Sequence, residues 1–135
     1  MPDLMVDFII SLDGYGAAEG WPGLWGLGGP EYLAWLGQQE DHTALMGATT
    51  YRLMSGFAAD GSEDMAGMTA QRKVVFSSTL EEPLTWANTV LVREDPVDWV
   101  RAAKQAGDQP LRTMLSRWTL STASAEQFSA LCSCV

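Results

Sequence analysis

The chain has 135 residues, 47% of them hydrophobic and six of them tryptophan, which is enough apolar material to fill the core of one domain over residues 1–135. Seventeen acidic residues against eight basic ones give a formal net charge of −9. This charge argues against two classes of partner, because the backbone of a nucleic acid and an anionic membrane surface would both repel the protein.

The first predicted element is a strand from Leu4 to Ser11, because β-branched, aromatic and mostly apolar residues are typical of a strand buried in the middle of a sheet. Asp13-Gly14 then predicts a turn. Asp3 and Asp7 interrupt the apolar stretch, so it does not resemble a signal peptide, and no run is long enough to span a bilayer. We therefore expect a cytoplasmic protein.

A glycine-rich segment from Tyr15 to Pro30 comes next and carries Trp21 and Trp25. Its composition disfavours regular structure, so the segment is either a surface loop pinned by its aromatic rings or a lid over a ligand. Pro30 suits the first turn of a helix, which we predict from Glu31 to about Gln39. Its apolar side chains, Leu33, Leu36 and Trp35, are expected to face the core.

The segment Thr43–Met54 predicts a buried strand that runs through Gly47 into a helix opened by Thr49 and Thr50. The first N–H groups of a helix have no intrahelical partner, so a phosphate can bind there without a lysine. Glycine allows close approach to the backbone, and either threonine can cap the helix or donate a hydroxyl hydrogen bond. An ordinary strand-to-helix turn is the alternative. The helix is expected to end at Gly56.

The second half of the chain predicts three strands and a helix, over Lys73–Ser77, Thr89–Val92, Leu111–Met114 and residues 96–107. Asp95 fits the N-cap of this helix and Pro96 its first position, with Val97, Val100 and Ala103 facing inward. The order of the elements along the chain is that of an α/β domain with a mainly parallel sheet flanked by helices.

Two predicted strand ends carry side chains or backbone suited to phosphate, at Gly47–Thr50 and at Ser77-Ser78-Thr79. In open α/β sheets ligands bind beyond the carboxyl ends of the strands, so both segments could lie on one edge and share one extended ligand. A dinucleotide has that shape. Asp13 and Glu31 are the candidate acids, although carboxylates at such positions are more often turn formers or partners of a helix dipole.

No metal site and no nucleophile are predicted. His42 has no second histidine or cysteine cluster with which to share a metal. The two cysteines, Cys132 and Cys134, are one residue apart, where a short disulfide would be strained, so free thiols in a reducing cytosol are the simpler interpretation.

Taken together, these segments resemble the dihydrofolate-reductase-like fold, and most closely the branch related to the C-terminal reductase domain of bacterial riboflavin biosynthesis. Ser11-Leu12-Asp13-Gly14 is similar to the opening motif of that branch. Leu45–Tyr51 is similar to its Leu-hydrophobic-Gly-Arg-x-Thr-Tyr motif, Lys73–Leu80 to its adenosine-contacting segment, and residues 95–103 to the helix that follows. The resemblance covers residues 4–114.

The resemblance implies an oxidoreductase that transfers a hydride from NADPH, or alternatively NADH, to a small heterocyclic or carbonyl substrate. The turn at Asp13-Gly14 would lie near the nicotinamide, the loop over residues 20–29 would close above it, and related proteins are often dimers, so a homodimer is expected. The cofactor-binding residues implied are Gly14, Gly47, Thr49, Thr50, Ser77, Ser78 and Thr79, with Asp13 and Glu31 as the catalytic candidates.

The chain departs from that branch at three places. Ala48 stands where the motif has an arginine, which removes a cation from the phosphates and weakens the preference for NADPH over NADH. Tyr32 stands where true dihydrofolate reductases carry the substrate-binding acid, so folate is not the expected substrate unless Glu31 substitutes for that acid. After Met114 the glycine pair of the family and its following strands are missing, and residues 115–135 form a divergent tail.

Two explanations of this tail stay open. One is natural divergence; the other is a shifted reading frame, because the codons CGG-TGG-ACN for Arg117-Trp118-Thr119 would read Gly-Gly in an alternative frame. An incomplete C-terminal part also leaves an alternative function, a non-catalytic remnant that binds nucleotide weakly or serves as an interaction module. Lost strands would expose a sheet edge, a reason to expect association.

Overall fold

A five-stranded parallel sheet organises the domain. The computed structural model describes residues 2–7, 11–15, 19, 29–61, 65–107 and 109–114. The strands are β1 (Leu4–Asp7), β2 (Thr43–Gly47), β3 (Lys73–Phe76), β4 (Thr89–Val92) and β5 (Leu111–Met114). They are arranged in the order β1-β5-β2-β3-β4, and each neighbouring pair is parallel. The predicted α/β class with a parallel sheet is thus confirmed.

The helices within the described ranges are α1 (Pro30–Gly37), α2 (Ala48–Ala59), α3 (Ala66–Ala70) and α4 (Pro96–Ala106). The α4 helix begins and ends where the sequence predicts. The carboxylate of Asp95 accepts hydrogen bonds from the N–H groups of Val97 and Asp98 at 2.8 and 3.3 Å, and Gly107 closes the helix with a φ of 73°. These local signals need no tertiary contact to act.

The α2 helix is longer than predicted, since it passes through Gly56 and ends at Ala59. A glycine inside a helix costs only about 0.5–1 kcal/mol relative to alanine, and the two alanines that follow favour helix. The predicted end at Gly56 is therefore wrong.

Buried side chains form one cluster on each face of the sheet. The first cluster consists of Ala44, Met46, Tyr51, Met54, Val75 and Trp86. The second consists of Leu45, Val74, Val92, Val100 and Leu111. Successive residues of β2 and β3 supply opposite faces, because side chains alternate along a strand, and this explains why both strands are continuously apolar.

The α1 helix does not bury its apolar side chains as predicted. Leu33 is 53% exposed and Trp35 is 45% exposed, while Leu36 is half-buried. The expected inward orientation is wrong for the first two residues. The reason lies in the sequence of the helix, in which Glu31 is the one charged residue and the apolar residues are spread around the rest of the circumference, so the periodicity does not select one face.

The first strand differs from its prediction in position, because β1 lies at one end of the described strand order instead of in the middle. Residues 8–10 of that prediction, residues 20–28 of the predicted lid and the tail over residues 115–135 lie outside the described residues. No helix in the described part of the chain is long and apolar enough to cross a membrane.

Candidate functional site

Two segments singled out in the sequence lie side by side at the carboxyl edge of the sheet. Gly47 at the end of β2 is the register partner of Phe76 at the end of β3. Ser77 follows directly, and its N–H donates to the carbonyl of Val92 on β4 at 3.1 Å. Adjacent strands are about 4.8 Å apart. The start of α2 and the turn over residues 77–80, here called the β3 turn, are therefore neighbours.

The N-terminus of α2 presents its backbone N–H groups without a side-chain cap. Gly47 is the N-cap residue, and no side-chain cap hydrogen bond is formed. The helix begins at Ala48, so Thr49 and Thr50 lie inside the first turn and do not cap it, unlike one of the roles expected for them. Uncapped N–H groups and the positive end of the helix dipole together favour an anion here.

Gly47 leaves open space above the backbone. Its φ of −91° suits any residue, and a Cβ added at this position would meet no atom within 4 Å. Among the described residues, neither backbone conformation nor packing requires a glycine here, and the same open space is found at the other glycines of the described part. A bare backbone beside open space is suited to a ligand that approaches the main chain closely.

Thr50 carries a buried hydroxyl that has no partner. The residue is 8% exposed, and its Oγ1 forms no hydrogen bond within the described part of the chain. A buried polar atom left unpaired costs about 1–3 kcal/mol. Thr113 on β5 is the other described residue of this kind, while Thr49 is exposed at the start of α2. The orphan oxygen of Thr50 thus lies in the first turn of the helix that faces the site.

The β3 turn is held together by Ser77. Its Oγ accepts hydrogen bonds from the N–H groups of Thr79 and Leu80, both at 3.1 Å, and lies 3.3 Å from Oγ1 of Thr79. Ser78 and Thr79 are exposed. Ser77 therefore shapes the turn, whereas the hydroxyls of the next two residues face the solvent at the edge of the sheet.

Behind this edge a buried aromatic network fixes α2 to the chain that follows the β3 turn. The Oη of Tyr51 accepts hydrogen bonds from the N–H groups of Thr85 and Trp86 at 3.1 and 3.4 Å. The indole Nε1 of Trp86 donates to Oγ1 of Thr69 at 2.9 Å, and the rings of Tyr51 and Trp86 lie 6.4 Å apart. Because their polar atoms are paired, these side chains give the site a rigid support.

The two candidate acids lie outside these two segments, because Asp13 follows β1 along the chain and Glu31 belongs to α1. Asp13 is exposed and accepts a hydrogen bond from Oγ of Ser11, in a turn where Gly14 has a φ of 90°. Glu31 is exposed in the first turn of α1. Among the described residues, no hydrogen bond joins either carboxylate to the other, to α2 or to the β3 turn. The structure thus brings the phosphate-type segments together, while the catalytic role of the two acids stays a prediction.

Within the described residues, no group of three or more histidines, cysteines and acidic residues could hold a metal ion. The Nδ1 of His42 lies 2.8 Å from the carbonyl oxygen of Glu40, which is a local contact in the loop before β2.

The comparison with protein families decides what kind of domain this is. The family described as RibD C-terminal domain matches residues 2–128. The chain belongs to the RibD C-terminal domain family. A search of curated proteins finds no match. Membership confirms the resemblance stated in the sequence analysis. The chain is a reductase-like domain of the riboflavin-pathway type.

A solved structure supports the fold of this family member. The crystal structure of a protein from Shewanella sp. PV-4, provisionally named a riboflavin biosynthesis protein, is similar with a TM-score of 0.55 and 19% sequence identity. The match covers 85% of this chain and 65% of that chain, so this chain spans less than two thirds of the length of that structure. At this identity the likeness shows the fold, which confirms the dihydrofolate-reductase-like architecture.

Lys73, which opens the family-like segment at β3, has a structural position in this RibD C-terminal domain. It is fully buried, and its Nζ donates to the carbonyls of Met68, Thr69 and Gln71 at 2.7, 3.0 and 2.6 Å. The same Nζ lies 4.5 Å from the ring centroid of Trp86. Burial lowers the pKa of Lys73 to about 8. Lys73 begins β3 at the opposite end from the site, so it supports the end of α3 and not a ligand at the carboxyl edge.

Sequence reasoning missed Arg93, which lies next to the β3 turn. Its Nη1 donates to the carbonyl of Ser78 at 3.2 Å and its Nη2 to that of Leu80 at 2.7 Å. A local sequence signal for this contact does not exist, because it depends on the parallel pairing of β3 with β4. The one indication in the sequence is that a basic residue directly follows the predicted strand Thr89–Val92.

Proposed function

We propose that this chain is an NAD(P)H-dependent oxidoreductase that transfers a hydride to a small heterocyclic or carbonyl substrate. The observation that carries the proposal is the adjacency of the α2 N-terminus and the β3 turn on neighbouring strands. One anion site beside a second polar segment matches the shape of a dinucleotide, whose pyrophosphate lies between two nucleosides. Family membership supports the reductase class.

The residues at this edge fit such a cofactor. The uncapped N–H groups of α2 and the backbone at Gly47 would hold the pyrophosphate. The orphan hydroxyl of Thr50 is buried in the first turn of the same helix and would reach the phosphates after rotation about χ1. Ser78 and Thr79 would face the adenosine part, on a turn shaped by Ser77. In a chain with a net charge of −9, backbone amides and hydroxyls have to supply most of the attraction. When bound, the reduced nicotinamide supplies the hydride.

The substrate would lie on the other side of the nicotinamide, near β1 and α1. Hydride transfer to a carbonyl carbon places negative charge on the oxygen, which then takes up a proton. Asp13 and Glu31 are the candidates to deliver or relay that proton. Asp13 is exposed, so its carboxyl group would take up a proton from the solvent and pass it to the substrate oxygen, while the hydrogen bond from Oγ of Ser11 holds the carboxylate in place.

A nucleotide-binding domain without turnover is the competing function. It is favoured by the exposure of Asp13 and Glu31, which share no hydrogen bond with each other or with the cofactor edge in the described residues. Turnover separates the two functions: NADPH that binds and is oxidised with none of a panel of carbonyl and heterocyclic acceptors would favour binding alone. A cytoplasmic location and a homodimer stay predictions.

Titration of the purified chain with NADPH and with NADH, followed by tryptophan fluorescence and by melting temperature, tests the proposal. Thr50→Val removes the orphan hydroxyl at nearly constant shape, and Thr113→Val removes the other buried orphan, which lies on β5. We expect Thr50→Val to weaken cofactor binding about tenfold, since a hydrogen bond to a charged group is worth about 1.5–3 kcal/mol. Thr113→Val should leave binding unchanged.

Unchanged fluorescence and melting temperature at millimolar concentrations of both cofactors would count against the reductase and against the binding domain alike. Equal losses of affinity in the two threonine variants would show that the start of α2 is not the phosphate site. Both variants should fold, because replacing an unpaired buried hydroxyl by a methyl group is neutral or stabilising.

A further inference from the structure

A cavity of about 280 Å³, here called the α4 cavity, lies against the α4 helix. Thr43 and Leu111 line it from the first residues of β2 and β5, and Arg72 lines it from the position before β3. Leu111 belongs to the second buried cluster, as does Val100 of α4, whereas α2 packs with the first cluster on the opposite face of the sheet. The α4 cavity is therefore not part of the proposed cofactor edge.

One side of α4 forms an apolar wall of this cavity. Trp99, Ala102, Ala103 and Ala106 all line it, and their spacings of three and four residues place them on the same side of the helix. The ring of Trp99 packs edge-on against the ring of Phe76, with centroids 5.6 Å apart, which holds the indole in place. Because the alanines beside it are small, a flat apolar body has room to lie along the helix next to the indole.

Two opposite charges line the α4 cavity without pairing with each other. Arg72 and Glu94 are both exposed, and within the described ranges neither side chain forms a hydrogen bond or an ion pair. By contrast, the exposed Arg101 on α4 is paired with Asp98 at 3.1 Å. A guanidinium with its fork of N–H donors and a carboxylate with its acceptor oxygens are thus both available to a ligand in the cavity.

We propose that the α4 cavity binds a small zwitterion whose carboxylate and ammonium groups are separated by a flat apolar body. The carboxylate binds the guanidinium of Arg72, whose planar fork of donors matches two carboxylate oxygens. The ammonium group binds the carboxylate of Glu94, and the apolar body lies against Trp99 and the alanine side of α4. The inference does not depend on the proposed function, because the cavity shares no residue with the cofactor edge.

Charge and size favour a zwitterion over a simple anion or cation. Arg72 and Glu94 are the charged residues of the lining, so a ligand with one charge would leave the other group of the cavity without a partner. The net charge of −9 on the chain repels an anion, whereas a zwitterion carries no net charge to be repelled. An apolar cavity of about 150 Å³ holds benzene. The larger α4 cavity therefore has room for one ring with a charged substituent at each end.

Chemical-shift titration of the backbone amides of the whole chain, with three related probes, tests the inference. The probe 4-(aminomethyl)benzoate carries both charges at opposite ends of a ring, 4-methylbenzoate carries the carboxylate alone, and 4-methylbenzylamine carries the ammonium group alone. At millimolar concentrations, 4-(aminomethyl)benzoate should shift the amides of residues 99–106 in a saturable way. We expect it to bind about fivefold more tightly than either of the other probes, because each of them lacks one ion pair.

Two neutral variants assign each charge to its partner. Arg72→Gln should weaken 4-(aminomethyl)benzoate and 4-methylbenzoate about fivefold, and should not weaken 4-methylbenzylamine. Glu94→Gln should weaken 4-(aminomethyl)benzoate and 4-methylbenzylamine by a similar factor, and should not weaken 4-methylbenzoate. The controls Arg52→Gln on α2 and Glu81→Gln after the β3 turn remove the same charges from exposed positions outside the cavity, and should behave as the wild type. All four positions are exposed, so the variants should fold.

Three results would overturn the inference. The first is the absence of saturable shifts in α4 with any of the probes, which would show that the cavity is not a ligand site. The second is equal affinity for all three probes, which would show that the two charges do not act together. The third is a loss of affinity in Arg52→Gln equal to that in Arg72→Gln, since the general charge of the chain would then explain the effect. The proposed function stands or falls separately, because none of these titrations contains a dinucleotide.

Discussion

The two sides of the sheet are built differently. Around β2, β3 and β4, paired polar atoms and buried rings connect α2, α3 and the chain after the β3 turn. Around β1 and β5, α1 has no buried residue, and its contact with the sheet includes the ring of Trp35, whose centroid lies 5.3 Å from the guanidinium carbon of Arg112. Among the described residues, the first side is the more rigid one and carries the proposed cofactor edge, while the second is looser and carries α1 with Glu31.

This difference indicates how a reductase-like domain divides its tasks. A cofactor is the same in every turnover, so its phosphates can be held by backbone groups fixed in a buried network. Substrates vary between members of a fold family, and an exposed helix changes its side chains at little cost in stability. Experiments that compare equivalent changes on both sides test this division.

The largest expected effect comes from the tryptophans of the two sides. Trp86 is 5% exposed and hydrogen-bonded to Thr69, so Trp86→Ala should lower the free energy of unfolding by about 3–5 kcal/mol. Trp35→Ala, at a 45% exposed position, should lower it by about 1 kcal/mol. Urea denaturation measures both. Equal losses would contradict the claim that the two sides differ in rigidity.

An intermediate effect is expected from the titration of Lys73. The pKa is lowered by burial from its ordinary 10.5 to about 8 in the folded protein. Between these pH values the unfolded chain binds more protons, so the free energy of unfolding should rise with pH, at most by about 1.4 kcal/mol per pH unit. Denaturation midpoints measured at about pH 7.5, 8.5 and 9.5 should show this rise in the wild type.

Lys73→Met removes the titrating group and keeps the length of the side chain. The rise with pH should then disappear, whatever the change in absolute stability. A variant with the same slope as the wild type would assign the pH dependence to another group.

The smallest effect on stability is expected from two glycines of the α2 region. Gly56 is exposed inside the helix, so Gly56→Ala should stabilise the protein by about 0.5–1 kcal/mol and leave cofactor affinity unchanged. Gly47→Ala should change stability by less than about 0.5 kcal/mol, because the added Cβ meets no atom. It should nevertheless weaken NADPH binding, since the Cβ enters the space proposed for the phosphates. Cofactor affinity equal in both variants would remove Gly47 from the site.

Local sequence signals made α4 and the β2-to-α2 junction predictable. Asp95, Pro96 and Gly107 define α4 through capping and backbone preferences that act within a few residues. The β2-to-α2 junction was equally clear, because a continuous apolar run meets a glycine and then a helical segment.

Features that depend on distant pairing were not predictable. The last described strand, β5, lies between β1 and β2 in the sheet, and no residue within β5 indicates that position. The contact of Arg93 with the β3 turn depends on the register of β3 and β4. The predicted orientation of α1 was wrong for a local reason. Apolar residues are spread around most of this helix, so the sequence does not determine which face is buried.

The central claim is that a dinucleotide binds where the start of α2 adjoins the β3 turn. Amide hydrogen exchange of the whole chain, with and without saturating NADPH, tests this most directly. The account predicts added protection at the amides of residues 48–50 and 78–80, with little change in α4. Protection confined to the cavity of about 280 Å³ that α4 forms with Thr43, Arg72 and Leu111 would contradict it, as would unchanged exchange at both predicted segments.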